Sequence, residues 1–554
     1  MKYLSSCAKF GLWCFAAMVF SIPLSAQNTP DMGSVHGSLQ SDVQYTLPAP
    51  EIEAEIDSGR VVSNTYLQLT YQKGKFEMGA RYEMYLNPLL GGFKNYQGQG
   101  IANRYAAYHG DFIDITVGNF YEQFGKGTIF RAYQEWTLGV DNSIDGFRLK
   151  LMPYKGIKLT GIIGKQRFYW GRSQGNVRAA DLNLQLNEML PFMEKSKARV
   201  TLGASVVSKY QEDNNPDYKL PKNVAAFAGR FAVNYKAFRL EGEGAYKVND
   251  PGKANGYAYD PGNSVYLSGS YAKKGLGITA SLRRAENMNF RSERDAIINE
   301  ATLSFLPPVT KAHTYRLPTL YPYATQVNGE IGGQITIYYK FKKGTALGGK
   351  YGTLLSLNYS RVDGLDTTHI MENGKYSRLN TYSLLGGKDK PYFEDFNVEI
   401  TKKLSDKWKL GLMYIYLYYD RDVVESGAAV RKYPRTYSHI GIVDLTYQIN
   451  EKHAIRTELQ HLYTLDDRGS WALALLEYSV SPAWYVTVFD EWNYGNDEEK
   501  KRFHYPNVSV AYVKDAHRIS FGYAKMRQGL LCVGGICRAV PSFNGFSVSL
   551  TSSF

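Results

Sequence analysis

The segment Phe76–Tyr85, which reads FEMGARYEMY, carries the pattern that determines the fold of this chain. Every second position is apolar: Phe76, Met78, Ala80, Tyr82 and Met84. The positions between them are Glu77, Gly79, Arg81, Glu83 and Tyr85. Successive side chains of a β-strand point to opposite faces, so one face of this segment is apolar and the other is largely polar and charged. The pattern predicts a two-faced strand of about ten residues.

The same alternation recurs along the chain, and four further copies are Arg199–Val206, Gly275–Arg283, Ile442–Ile449 and His453–Tyr463. Strands of about ten residues fit a tilted membrane crossing, whereas strands of soluble proteins usually have about five or six residues. A soluble β-sandwich or propeller also alternates, but charges on the inward face would be costly in its dry core. The pattern therefore favours a barrel in a membrane over a soluble sheet.

The composition excludes two other classes of protein. Of the 554 residues, 44% are hydrophobic and 21% are charged, and the mean hydropathy is −0.35. These values exclude a disordered chain, which is less hydrophobic and more charged, and they exclude a bundle of membrane helices. The 45 tyrosines are typical of β-sheets. In a membrane barrel they would form the interfacial aromatic girdles.

The connections between the strands are expected to alternate strictly between short and long. Lys236–Ala237 and Ser481–Ala483 are short turns, and the longer Leu190–Lys197 and Lys342–Lys350 belong with them, whereas Tyr121–Asn142 is a long connection. Short periplasmic turns and long extracellular loops are typical of outer-membrane barrels. We therefore predict an all-β, transmembrane antiparallel β-barrel of about 24 strands, within a range of about 20 to 26, with both termini in the periplasm.

Residues 1–26 are predicted to be a secretory signal peptide, followed by a single barrel over residues 27–554. Lys2 and Lys9 supply the positive charge of the signal, Phe10–Phe20 supplies its apolar core, and the small residues Ser25 and Ala26 end it. Such a signal predicts export, and together with the barrel pattern it predicts a location in the bacterial outer membrane. The lipid of that membrane would then surround the barrel.

The C-terminal segment Phe543–Phe554 is predicted to be the strand that closes the barrel. Its apolar positions are Phe546, Val548, Leu550 and the terminal Phe554. This aromatic-terminated strand resembles the closing-strand signal of outer-membrane barrels. The resemblance implies that the barrel-assembly machinery is a partner during biogenesis.

Two cysteines, Cys532 and Cys537, remain after the predicted signal peptide. In an exported protein a close pair of this kind predicts a disulfide, here around the turn Gly534-Gly535. A zinc site is disfavoured because no other cysteine or histidine accompanies the pair, and the spacing differs from the C-x-x-C of redox enzymes. We predict no metal site and no cofactor.

Charged residues on the inward face of the strands form the main candidate site. They are Arg81, Glu83, Arg148, Lys150, Arg230, Arg239, Glu241, Glu243, Arg283, Arg456 and Glu458. Mixed charges of this kind steer ions in a pore, or they only keep a wet lumen soluble. The net charge is +13, and it becomes +11 when Lys2 and Lys9 leave with the predicted signal peptide. This charge favours anionic solutes slightly and, being dispersed over a barrel, does not indicate nucleic-acid binding.

The connection 286–328 is the second candidate. It is the longest connection in the predicted barrel, and a connection of this length is usually functional or disordered. Three interpretations remain open from the sequence: a constriction folded into the lumen, a surface for a partner protein, or a mobile extracellular loop.

Six segments spread over most of the chain carry a family resemblance. They are Gly118–Gly125, Asp141–Ile144, Arg167–Trp170 (RFYW), Pro307–Tyr315 (PPVTKAHTY), Tyr321–Gln326 (YPYATQ) and Cys532–Arg538. These segments resemble a Bacteroidota-type family of outer-membrane β-barrels of unknown function. The resemblance implies a porin-like barrel in the outer membrane and implies no enzymatic activity.

Three functional hypotheses follow, and the first is favoured. The first is a porin-like channel or transporter for small solutes, with a preference for anionic ones. The second is a non-conducting scaffold or accessory subunit of a surface or secretion complex. The third is an outer-membrane hydrolase, for which His36 and Ser38 share one face of the first strand. No orienting acid is identifiable for that pair, so we expect no enzyme. The spacing of Gly344–Lys350 is similar to a phosphate-binding loop, but Tyr351 stands where that loop needs Ser or Thr.

Overall fold

One closed β-sheet of 24 strands forms the body of the protein. The computed structural model describes residues 32–54, 59–89, 94–365, 367–372, 375–380, 390–426 and 432–554. Within this part of the chain, each barrel strand pairs antiparallel with the barrel strands before and after it, and the last pairs with the first. The predicted antiparallel barrel of about 24 strands is confirmed. The predicted signal peptide, residues 1–26, lies outside the described residues.

The barrel strands are numbered here in chain order. They are Ser34–Thr46 (β1), Val61–Lys73 (β2), Phe76–Asn87 (β3), Gly98–His109 (β4), Ile113–Phe120 (β5), Ile144–Tyr154 (β6), Ile157–Phe168 (β7), Gly171–Gln185 (β8), Ala198–Tyr210 (β9), Asn223–Tyr235 (β10), Phe238–Lys247 (β11), Gly262–Lys273 (β12), Leu276–Glu286 (β13), Gly329–Phe341 (β14), Thr353–Asp363 (β15), Pro391–Lys403 (β16), Trp408–Tyr419 (β17), Thr436–Gln448 (β18), His453–Tyr463 (β19), Trp471–Val480 (β20), Trp484–Trp492 (β21), His504–Lys514 (β22), His517–Met526 (β23) and Phe543–Ser553 (β24).

Short elements occupy several connections. The helical ones are the α-helix Leu186–Met189, the π-helix Asp422–Ser426 and the 3-10 helices Pro50–Ile52, Lys94–Tyr96, Trp136–Leu138, Pro191–Met193, Lys253–Asn255, Pro318–Leu320 and Glu499–Lys501. The extended ones are Glu122–Gln123, Arg131–Ala132, Gln134–Glu135, Val140–Asp141, Thr367–Glu372, Lys375–Asn380, Gly529–Val533 and Ile536–Val540. Among the described residues, no helix is long and apolar enough to cross a membrane.

The two faces of the strands differ as the alternation predicts. On β3, Met78 is 51% exposed on the outside, whereas Arg81 on the inner face is 2% exposed. Leu282 on β13 and Leu476 on β20 repeat the exposed apolar outer position at 61% and 51%. A continuous apolar outer wall of this kind would be unfavourable in water and matches the lipid-facing band of a membrane barrel.

The closing seam joins β1 to β24. Val43 faces Val548 and Tyr45 faces Phe546 across this seam, while the Phe521 and Phe546 rings of β23 and β24 stack with their centroids 6.0 Å apart. Because both neighbours of β24 are strands of the same sheet, its backbone groups are paired on both sides and the sheet has no free edge there.

The prediction that connections alternate strictly between short and long is wrong at one point. The β7–β8 link, on the side of the long connections, contains only Tyr169 and Trp170. Tyr169 has a φ of 55°, a left-handed conformation that lets the chain reverse within two residues. Phe168 pairs with Gly171 directly below this turn, so the two strands continue to the rim without a loop.

A matched pair of arginine substitutions on β21 tests which face of the barrel meets lipid. Val488→Arg places the charge on the outer face, where Val488 is 44% exposed, and is expected to cost about 2–4 kcal/mol of folding free energy in bilayers. Thr487→Arg, one residue away on the inner face, is expected to cost less than about 1 kcal/mol because the lumen is polar. Urea unfolding in lipid vesicles measures both, and equal costs would contradict a lipid-facing outer wall.

Candidate functional site

Three long connections fold back into one end of the lumen. We call residues 121–143 insert 1, residues 287–328 insert 2 and residues 527–542 insert 3. Phe130 of insert 1 and Leu317 of insert 2 are fully buried although both belong to connections rather than strands. Insert 2 corresponds to the connection 286–328 of the sequence analysis, and it contacts inward-facing residues of the barrel wall.

Insert 1 and the first half of insert 2 share an apolar core with the barrel wall. Phe124 and Phe130 of insert 1 pack with ring centroids 5.0 Å apart, and Phe290 of insert 2 joins the same cluster. Val207 and Val224, which point inward near the long-connection ends of β9 and β10, complete it. The inner wall is therefore apolar around this cluster, where contact with the inserts keeps the side chains from water.

The second half of insert 2 is joined to the opposite wall by a series of polar contacts. Lys311 Nζ donates to Asn397 Oδ1 at 2.8 Å, and His313 Nε2 lies 2.7 Å from Asp395 Oδ2. Further along, Arg316 Nε donates to Glu491 Oε1 at 2.6 Å. The side chains of Asn397, Asp395 and Glu491 are all buried on the inner face of β16 and β21. We call these contacts the polar ladder.

Insert 3 is a hairpin held by the predicted disulfide. Cys532 and Cys537 face each other and are bonded across the turn Gly534-Gly535. Both glycines have positive φ, at 57° and 79°, and a side chain at Gly535 would meet Thr325 of insert 2. Thr325 N also donates to Gly535 O at 2.9 Å. The hairpin therefore packs directly on insert 2, and this turn requires glycine.

The predicted lumen charges all lie on the inner face, and their basic members are paired with acids. The pairs are Arg81 with Glu83 and Asp141, Arg148 with Asp114 and Glu122, Lys150 with Glu122, Arg230 with Asp181, Arg239 with Glu241, Arg283 with Glu330, and Arg456 with Asp444 and Glu458. Glu241 and Glu243 also bind Lys126 of insert 1, the latter through the Lys126 backbone N–H. Because several of these acids were not in the predicted set, the wall is closer to neutral than that set implied.

Several of these buried groups, together with Arg167, form one network between β3, β7 and insert 1. Arg167 donates to Glu83 Oε2 and to Asp141 Oδ2, both at 2.7 Å, and Arg81 contacts the same two carboxylates. Tyr121 donates to Asp141 Oδ1 at 3.0 Å. Burial alone would raise the pKa of Asp141, but Arg167 and Arg81 hold it below its ordinary value of 3.8. Asp141 therefore stays ionised at neutral pH.

Sequence reasoning missed the other half of the site. Asp141, Arg167, His313 and Arg316 were not among the predicted charges, although the first three fall in segments that carried the family resemblance. The sequence feature that could have identified these residues is their position in or beside the long connections. Their partners lie far away along the chain, as in the Arg316–Glu491 pair, whose members are 175 positions apart.

The structure does not assemble a hydrolytic site at His36 and Ser38. Both side chains are exposed on β1, and within the described part of the chain neither makes a side-chain hydrogen bond. A serine nucleophile needs a base within hydrogen-bonding distance and a third group to orient that base. Within the same residues, no group of histidine, cysteine and acidic side chains has an arrangement that would hold a metal ion.

The chain belongs to a protein family of unknown function (DUF6029), whose model matches residues 8–554. No curated protein matches the sequence.

Solved structures of outer-membrane proteins are similar only at a low level. The P pilus usher PapC translocation pore has a TM-score of 0.43 at 10% identity, covering 94% of this chain and 99% of that one. The siderophore receptor PirA from Pseudomonas aeruginosa has a TM-score of 0.42 at 10% identity, covering 96% and 82%. OccD1 (OprD) has a TM-score of 0.33 at 9% identity, covering 96% and 97%. At these TM-scores and identities, the similarity is not evidence of a shared function.

Arginine removal tests the buried network. Arg167→Met leaves Glu83 and Asp141 with fewer compensating charges, and is expected to lower the unfolding free energy by about 3–5 kcal/mol. Because the pKa of Asp141 is lowered, the stability it contributes is fully present above its unfolded pKa and is lost as the pH falls through its folded pKa. Chemical denaturation at neutral and acidic pH measures both effects.

The matched control is Arg172→Met, on the neighbouring strand. Arg172 pairs with Asp145 at 2.6 Å, but its side chain is 54% exposed, so its removal is expected to cost less than about 1 kcal/mol. Equal losses for the two variants would mean that the network adds nothing beyond an ordinary surface ion pair.

Proposed function

We propose that this protein is a channel of the bacterial outer membrane for small solutes, with inserts 1, 2 and 3 narrowing its mouth. The observation that carries the proposal is the polar ladder, which fixes insert 2 across the lumen through Asp395, Asn397 and Glu491 of the wall. A loop anchored inside a barrel reduces the passage without closing the far end. Such a barrel would pass solutes selected by size and polarity.

The half of the lumen next to the short turns supports a water-filled passage. Its inner wall carries small hydroxyl side chains: Ser268, Thr279, Ser281, Thr336, Thr401, Thr446, Thr487 and Ser509. Hydroxyl-lined walls are compatible with water and small polar solutes, whereas a packed core would be apolar. The apolar clusters of the inserts lie at the opposite end.

The preference for anionic solutes rests on the net charge, which is +11 without Lys2 and Lys9 of the predicted signal peptide, because the wall cations are paired with acids. We propose a weak anion preference on this ground. Reversal potentials in a salt gradient measure it directly.

The second candidate is a non-conducting scaffold for a surface or secretion complex. It is favoured by the tight packing between inserts, where Asn299 of insert 2 donates to Cys537 O of insert 3 at 2.8 Å and the Cys532–Cys537 disulfide holds that hairpin. Fixed, mutually packed inserts would leave little passage and would present a rigid outer surface to a partner.

Export and membrane insertion are part of the proposal. The predicted signal peptide over residues 1–26 supports secretion, and the terminal segment ending in Phe554 supports recognition by the barrel-assembly machinery. The outer wall with exposed residues such as Leu282 supports contact with lipid. Origin from a Bacteroidota-type organism is proposed on the family resemblance alone.

Planar-bilayer conductance tests the channel. The triple variant Lys311→Ala, His313→Ala and Arg316→Ala removes the side chains of the polar ladder and is expected to raise single-channel conductance several-fold, since insert 2 loses its anchors. The control Lys219→Ala, Lys222→Ala and Lys253→Ala removes cations from connections outside the ladder and is expected to leave conductance unchanged.

If neither the folded wild-type protein nor the folded ladder variant conducts ions, the channel is refuted and the scaffold is favoured. In that case co-purification of partner proteins, lost when insert 2 is shortened, is the expected result.

A further inference from the structure

A cleft opens at the long-connection end of the barrel, separate from the buried charge network. It has a volume of about 410 Å³, within the size range of small-molecule sites. Arg421, Arg468, Trp471, Phe503, Tyr505 and Arg527 are among the residues that line it. We call it the rim cleft.

Several charges of the rim cleft are neutralised by local partners. Arg421 Nη1 donates to Asp467 Oδ1 at 2.7 Å, and Lys501 pairs with Glu498. At the mouth, Glu51 pairs with Lys525 at 2.7 Å. Glu425 also binds Arg421, so each of these cations has at least one carboxylate partner.

Two arginines in the rim cleft remain under-compensated. Arg468 has no ion-pair partner within the described part of the chain. For Arg527 the nearest carboxylate is Glu491, with Nε 3.6 Å from Oε2, and Glu491 already accepts a hydrogen bond from Arg316. Glu53, which accepts from Gln528 at 3.4 Å, is the one lining carboxylate of the described residues without a cation partner. Four basic and four acidic side chains line the cleft, so it is neutral as a whole, and Arg468 and Arg527 form a local positive patch within it.

The electrostatic surroundings of Arg527 agree with a local positive patch. Burial lowers the pKa of Arg527, and Arg316 and Arg468 lower it further against the opposing effect of Glu491. Its Nε has no hydrogen-bond partner in the described chain. An anion beside Arg468 and Arg527 would relieve this repulsion and would supply the missing acceptor, since guanidinium groups match carboxylate and phosphate geometry.

An apolar surface lies next to the two arginines. The Trp471 and Tyr505 rings stack with centroids 5.9 Å apart, and the half-buried Phe503 packs against Tyr505. Trp471 is 1% exposed, yet its indole N–H has no acceptor among the described residues. A buried donor without an acceptor is costly, and a polar ligand atom would satisfy it.

We propose that the rim cleft binds a small organic anion that carries an apolar or ring portion. Arg468 and Arg527 bind the anionic group, and Phe503 and Tyr505 contact the apolar portion. The site forms from the rim itself, so this proposal does not depend on whether the lumen conducts.

Calorimetric titration of the folded protein in detergent tests the proposal with three probes. Phenyl phosphate carries both features, inorganic phosphate carries only the charge, and benzyl alcohol carries only the ring. Phenyl phosphate is expected to bind most tightly, and Arg468→Gln or Arg527→Gln is expected to weaken it roughly tenfold. The control Arg172→Gln, an exposed arginine elsewhere on the barrel, is expected to leave binding unchanged.

Each other outcome overturns part of the proposal. Absence of phenyl phosphate binding to the folded protein, or equal binding by the arginine variants, refutes the anion site. Equal affinity for phosphate and phenyl phosphate refutes the apolar contact. If Arg527→Gln does not fold, Arg468→Gln decides, because Arg468 lies in a connection and is only half-buried.

Discussion

A closed sheet of 24 strands encloses more space than its own inward side chains can fill. The other features of this structure follow from that constraint. Barrels of about eight strands fill themselves with side chains, while wider ones hold water or a plug. Here the backbone hydrogen bonds between β1 and β24 fix the circumference. The lumen then receives chain from inserts 1, 2 and 3 at one end and remains polar at the other.

Folding the inserts into the lumen removes charged side chains from water, and the charge pairs offset this desolvation cost. Arg81, Glu83, Arg167 and Asp141 lie where water has been excluded, and isolated charges in such a place would be strongly unfavourable. Their mutual contacts compensate this desolvation, and they do so only in one arrangement of insert 1 against β3 and β7. The network is thus better understood as fixing the position of insert 1 than as adding stability to the barrel. Apolar packing around Phe130 supplies the stabilising burial.

Most of the barrel and about half of the site could be predicted from the sequence. Period-2 alternation, the turns and the closing strand depend on neighbouring residues, so segments such as Phe76–Tyr85 predict them directly. The partners of the lumen charges depend on strand register and on how the inserts fold. Asp141 and Arg81 are 60 positions apart, and no pattern of neighbouring residues predicts their contact. The same reasoning explains the missed two-residue turn at Tyr169 and Trp170, which looks locally like the middle of a strand.

That turn also gives the barrel an asymmetric mouth. Long connections stand around most of the rim, yet between β7 and β8 the wall ends at Tyr169 and Trp170. Trp170 donates from Nε1 to Tyr96 O at 2.8 Å, which braces this turn against the β3–β4 connection. Only Phe168 separates Arg167 from the turn pair, so the turn is close along the chain to the buried charge network. A change in the turn would therefore act on the buried network through one intervening residue, Phe168.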